Sequence, residues 1–143
     1  MRKGWNLVLA LTATVLWLWF IYSRSAADGD ASHIESSAVL NFLKKILPYV
    51  NMVIVRKGAH FLEFFILGCL LYFDWRLLGR GPMLLPLGAG LLAAAADELL
   101  QTFVPARSGE ILDVLIDFCG VAAGVLTGLL LRRWKEARRH ANG

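Results

Sequence analysis

Acidic, basic and histidine side chains recur in three short polar segments that adjoin long apolar runs. In the first segment, Arg56, His60 and Glu63 are spaced by four and three residues, so they share one face of a helix. Charged groups at the edge of a membrane span are costly to hold there and by default mark a functional site. The candidate ligand-binding residues are Arg56, Lys57, His60, Glu63, Asp97, Glu98, Gln101, Arg107, Asp113 and Asp117.

The basic members of this set predict binding of a phosphate-bearing head group. Arginine offers phosphate a planar pair of donors and lysine a point charge, which gives Arg56, Lys57 and Arg107 the role of phosphate contacts. The carboxylates and Gln101 would accept hydrogen bonds from sugar or amine groups, or hold the arginines in place. The expected partners are therefore membrane lipids or a lipid-linked cell-wall precursor.

Head-group binding requires no cofactor, and none is expected. A second hypothesis is enzymatic and requires a divalent metal. Hard cations favour several carboxylates and histidine suits transition metals, so the candidate ligands are His60, Glu63, Asp97 and Asp113. A metal-held water attacking a phosphoester would make the protein a hydrolase or transferase acting on lipid head groups. His60 and Glu63 do not form the His-Glu-x-x-His signature. The candidate catalytic residues are His60, Glu63, Asp97, Glu98 and Asp113.

A third hypothesis is purely structural. Buried charges within membranes pair with one another, and pairing alone would hold the helices together as a polar clasp. The pairs expected of such a clasp are Arg56 or Arg107 with Asp97 or Glu98, and His60 with Asp113 or Asp117.

Composition places the chain among integral membrane proteins. Of its 143 residues, 57% are hydrophobic, which is far above the usual content of a soluble domain of this size. The formal net charge of +4 comes largely from basic residues beside apolar runs. We therefore interpret these residues as determinants of membrane topology and not as a nucleic-acid site.

The apolar runs predict an all-α protein with four transmembrane helices in a single domain, 1–143. A short amphipathic extracytoplasmic helix is expected from Glu35 to Leu47, either as a lid over the polar residues or as a surface anchor. Pro48 ends it. The spans are expected at about 5–22, 53–75, 83–103 and 111–131, followed by a basic cytoplasmic tail at 132–143.

The basic residues also predict an orientation. Both termini and the turn between the second and third spans carry most of the lysines and arginines, so both termini are expected in the cytoplasm of a bacterial inner membrane. All three polar segments then lie at the extracytoplasmic end. Gly120, Gly124 and Gly128 recur every four residues on the face of Asp113 and Asp117, which predicts close helix packing that turns both aspartates inward.

These motifs resemble the VanZ-like family of small bacterial membrane proteins. The similarity covers about Arg56 to Gly128 and rests on three stretches, 56–64, 97–107 and 113–120. The family frequently has Tyr at the position of Phe64 and Asn at the position of Asp117, so Asp117 adds a carboxylate to the site. The resemblance implies a polytopic membrane protein associated with resistance to the lipoglycopeptide antibiotic teicoplanin, which is itself a candidate ligand. It implies no defined reaction and no oligomeric state.

Overall fold

The computed structural model describes residues 2–26, 37, 40–42, 44, 49, 51–79, 81–105 and 109–141. Its elements, in chain order, are α1 (Arg2–Ser25), α2 (Met52–Leu77), α3 (Leu84–Gln101) and α4 (Ile111–Ala141). The four long helices begin and end close to the predicted spans. The exception is α4, which continues through the basic tail to Ala141, where the side chains are exposed.

Local sequence signals account for where these helices begin and end. The Asn51 side chain caps α2 by accepting a hydrogen bond from the Ile54 amide at 2.9 Å. Gly79 follows α2 with a φ of 105°, a left-handed conformation that a glycine adopts without steric cost. Pro86 lies in the first turn of α3, where a backbone N–H would have no partner within the helix.

The apolar core lies between α2, α3 and α4, with one residue from α1. Its centre is formed by Phe64 and Leu67 of α2 against Val121 of α4, all fully buried. The remaining core residues are Ile21, Tyr72, Ala93, Ala94 and Val125. The most extensive helix pair is α2 with α4.

The glycine face of α4 explains why that pair packs so closely. A Cβ added at Gly120 or Gly124 would collide with the backbone of α2, at Phe61 and Phe65 respectively. At Gly128 it would overlap the ring of Tyr72. The predicted packing role of the glycines is thus confirmed, and Asp113 and Asp117 are both buried as expected.

The outer surface of the helices suits a membrane. Large apolar side chains are exposed on every long helix, among them Leu9, Ile66, Leu92 and Leu130. Three of the described helices are long and apolar enough to cross a bilayer: Gly4–Ser25, Leu84–Gln101 and Ile111–Ala141. Helix α2, which has charged residues near both ends, is not among them, so the predicted count of four spans is not confirmed.

The predicted amphipathic helix between the first two spans is only partly within the described residues. Ser37, Lys44 and residues 40–42 are helical, with Leu40 buried and Phe42 exposed. The rest of the segment from Glu35 to Leu47 lies outside the described residues, and its role as a lid or an anchor stays a prediction.

Candidate functional site

Polar side chains from four helices meet at one end of the protein, which we call the polar end. The helices run up and down, so the last turns of α1 and α3 lie beside the first half of α2 and the start of α4. The polar end comprises Arg24, Ser25, Arg56, Lys57, His60, Glu63, Asp97, Glu98, Gln101, Glu110, Asp113 and Asp117.

The most deeply buried part of the polar end is a trio of residues from three helices. His60 Nδ1 of α2 lies 4.0 Å from Asp97 Oδ2 of α3 and 3.8 Å from Asp117 Oδ1 of α4. Both aspartates are fully buried, and the His60 side chain is 13% exposed. Two carboxylates and an imidazole therefore converge in a region closed to bulk solvent.

Hydrogen bonds fix one member of this trio in place. Asp97 Oδ2 accepts a bond from Ser25 Oγ at 2.9 Å and another from Gln101 Nε2 at 3.0 Å. Gln101 is one turn beyond Asp97 on α3, whereas Ser25 comes from the end of α1. The carboxylate of Asp97 is thus oriented by two different helices.

An ion-pair layer lies beside the trio and nearer the surface. Lys57 forms a salt bridge with Asp113, and its Nζ lies 3.6 Å from Glu110 Oε2. Arg56 Nη2 is 3.8 Å from the other Asp113 oxygen. Asp113 is buried, whereas the side chains of Arg56 and Lys57 are 40% and 25% exposed. Both cations therefore remain accessible from outside the protein.

The remaining acids are held at the margins of this cluster. Glu98 Oε2 accepts a hydrogen bond from the Glu110 amide at 2.9 Å, which ties the end of α3 to the segment before α4. The carboxylate of Glu63 turns towards α1 and forms a 3.1 Å salt bridge with Arg24. The indole N–H of Trp17 donates to the Glu63 carbonyl at 2.9 Å and reinforces that contact.

Nine of the ten predicted site residues lie at the polar end, but they divide into separate groups. The predicted metal ligands His60 and Asp97 do meet. The other two predicted ligands, Glu63 and Asp113, each form a salt bridge with a basic residue, and Asp117 is the third residue close to His60 and Asp97. Metal binding by any of these residues stays a prediction. Arg107 lies outside the described residues, so its role as a phosphate contact stays a prediction.

The pairs that the clasp hypothesis expected are also only partly present. His60 does lie near Asp117. The other expected pair was Arg56 or Arg107 with Asp97 or Glu98. Arg56 forms its ion pair with Asp113, and Arg107 lies outside the described residues, so this pair stays a prediction. Arg56 meets Asp113 because of its position along α2: it is one turn before His60, which brings it to the start of α4, whereas His60 reaches the deeper Asp117.

Three residues of the polar end, Arg24, Ser25 and Glu110, are absent from the predicted set. Arg24 and Ser25 directly follow the apolar run of α1. The sequence offered one signal for Arg24 and Ser25: in the predicted topology, the end of the first span falls on the same side of the membrane as the three polar segments. No periodicity in α1 marks either residue as part of a site.

A comparison with protein-family models found a match to the VanZ/LLP1 family over residues 10–132. Searches of curated proteins and of solved structures each found no match. The family match includes α1, and so extends well beyond the 56–128 region that carried the sequence resemblance. It covers most of the chain, together with all four helices that build the polar end. The chain therefore belongs to the VanZ/LLP1 family.

Proposed function

We propose that the polar end binds the phosphate-bearing head group of a membrane lipid or of a lipid-linked cell-wall precursor. One observation carries the proposal: Arg56 is 40% exposed and Lys57 is 25% exposed at the rim of a cluster of buried carboxylates. Cations held at the rim of a membrane-embedded site are placed to meet an anionic group at the bilayer surface.

The chemistry of the rim suits phosphate. Arg56 can offer two parallel N–H donors to phosphate oxygens while Asp113 limits its movement. Lys57 adds a point charge beside it. Glu110 is half exposed, and its carboxylate is available to accept hydrogen bonds from sugar hydroxyls or an amine of the same head group.

The proposed site faces the extracytoplasmic side of a bacterial cytoplasmic membrane, with both termini in the cytoplasm. Resistance to teicoplanin would follow if the lipid-anchored drug, or the lipid-linked precursor that it targets, were held there. Arg107→Ala should then abolish resistance while the protein still accumulates in the membrane. Unchanged resistance would exclude this form of the proposal.

The enzymatic alternative is favoured by one observation, the convergence of His60, Asp97 and Asp117. Those residues suit a metal-dependent hydrolase or transferase acting on a head group. Release of inorganic phosphate from phosphatidic acid, or of the head group from another phospholipid, by the purified protein and its loss in Asp117→Asn would establish turnover. Binding without release supports the simpler proposal.

Native mass spectrometry of the purified protein in mild detergent tests head-group binding. A phospholipid is offered beside the diacylglycerol with the same acyl chains, so that only the phosphate head group differs. We expect retention of the phospholipid, weakened about tenfold in Arg56→Gln because a charge-assisted contact is lost. The control is Arg76→Gln, which removes an exposed arginine at the opposite end of α2. Equal retention of both lipids, or of phospholipid by both variants, would refute the proposal.

A further inference from the structure

We infer that His60, Asp97 and Asp117 form a binding site for one divalent transition-metal cation, with Zn²⁺, Mn²⁺ and Fe²⁺ as the ions of suitable chemistry. The inference goes beyond the proposed function because it concerns the buried trio and not the exposed rim. It also requires no lipid, so the two proposals can fail separately.

The donor atoms of the trio are close enough to share one metal ion. One potential ligand atom from each residue lies within 4.8 Å of the other two. Ligand atoms about 2.1 Å from a tetrahedral metal are about 3.4 Å from one another. The observed separations of 3.8 and 4.0 Å from His60 Nδ1 exceed that value by about half an ångström. Small rotations of the three side chains would close the difference.

The environment of Asp117 favours a bound cation. Its side chain is fully buried, and neither carboxylate oxygen has a hydrogen-bond donor within the described part of the chain. A buried carboxylate without such donors costs several kcal/mol, a penalty that proteins meet by pairing it or by metal coordination. Asp117 is directed towards His60, so a cation between them would satisfy it.

Residues around the trio hold it in place. Ser25 and Gln101 both donate to Asp97 Oδ2, and outer hydrogen bonds of this kind orient metal ligands. Gly120, three residues after Asp117, lies against the backbone of α2 at Phe61. This close approach sets the distance between the helices that carry His60 and Asp117.

The donor types select the class of ion. Calcium and magnesium favour oxygen ligands alone, whereas an imidazole nitrogen with two carboxylates suits zinc, manganese or ferrous iron. The charge of the polar end favours a bound cation, because its acids outnumber its lysine and arginine side chains. The acids are Glu63, Asp97, Glu98, Glu110, Asp113 and Asp117, and the described basic residues are Arg24, Arg56 and Lys57.

The test uses the full-length protein in mild detergent, stripped with a chelator and then titrated with Zn²⁺ while bound metal is counted by elemental analysis. We expect saturation at about one ion per chain, with affinity at least about tenfold lower in Asp117→Asn. Excess Mg²⁺ should not displace the zinc. The matched control is Asp74→Asn, which changes a buried aspartate at the other end of α2.

A second variant and a spectroscopic probe guard against a folding defect. Co²⁺ replaces zinc and reports its ligands through visible absorption, which His60→Gln should alter if the imidazole is a ligand. Circular dichroism and gel filtration establish that each variant is folded. A wild-type protein that binds no stoichiometric zinc would overturn the site, as would unchanged affinity in both Asp117→Asn and His60→Gln. Neither readout depends on lipid binding.

Discussion

His60 Nδ1 and Asp117 Oδ1 lie 3.8 Å apart between α2 and α4, the two described helices with the most extensive contact. Asp117 lies on the same face of α4 as the glycines that let α4 approach α2, about one turn before Gly120. The packing of the helices and the position of the polar trio are therefore consequences of the same contact. Substitutions that separate α2 from α4 should disturb the trio even when they lie outside it.

Gly124→Ala tests whether the close packing of α4 against α2 stabilises the protein. A Cβ at position 124 would meet the backbone of Phe65 and Cys69, which cannot rotate away as a side chain can. We expect a loss of about 1–3 kcal/mol in the free energy of unfolding, measured by denaturation in mixed micelles. Gly88→Ala on α3 is the control, since its Cβ would meet no atom within 4 Å. An equal effect of the two substitutions would show that close approach at Gly124 is not required.

Thr14 stabilises a buried aspartate at the opposite end of α2. Its hydroxyl donates to Asp74 Oδ2 at 2.6 Å, and both side chains are buried. Thr14→Val keeps the shape but removes the donor, so we expect a loss of about 1–3 kcal/mol in the same denaturation assay. Thr12→Val, an exposed position on α1, should change the free energy by less than about 0.5 kcal/mol. A neutral Thr14→Val would mean that the hydrogen bond contributes nothing net.

The Lys57–Asp113 salt bridge joins α2 to the first turn of α4. Asp113 is 6% exposed, so removing the lysine leaves a nearly buried carboxylate with weaker compensation from Arg56. We expect Lys57→Met to cost about 1–2 kcal/mol, since Lys57 itself is partly solvated. Lys135→Met in the exposed tail is the control. If the two methionine variants unfold at the same denaturant concentration, the salt bridge is not stabilising.

The sequence predicted the helices and the polar residues better than it predicted their partners. The spacing of Arg56, His60 and Glu63 correctly predicted a polar face on α2, and the glycines correctly predicted the orientation of α4. Which residue meets which depends on the rotation and vertical offset of each helix, set by packing across the core. Glu63 contacts Arg24 because α1 lies against that side of α2, a placement that no local pattern encodes.

The membrane orientation can be checked with cysteine labelling. In a variant with the free cysteines Cys69 and Cys119 replaced by alanine, single cysteines are introduced at Tyr49 and at Ala141. Tyr49 is exposed just before α2, and Ala141 is exposed at the far end of α4. With both termini in the cytoplasm, a membrane-impermeant maleimide should label position 49 in intact spheroplasts and position 141 only after lysis. The reverse pattern would place the polar end in the cytoplasm.

The most direct test asks whether the rim of the polar end is a ligand site or only a clasp. The measurement is the free energy of unfolding of wild-type protein and Arg56→Gln, each with and without a phospholipid. At a concentration 100 times its dissociation constant for the wild type, the lipid should stabilise wild-type protein by about 2.7 kcal/mol. Without lipid, the variant should differ by no more than about 1 kcal/mol, because Arg56 is 40% exposed and 3.8 Å from its acid. In Arg56→Gln, whose affinity should be about tenfold lower, we expect the same lipid concentration to stabilise the protein by only about 1.4 kcal/mol. A variant that is much less stable without lipid, yet gains as much from lipid as the wild type, would contradict head-group binding at Arg56.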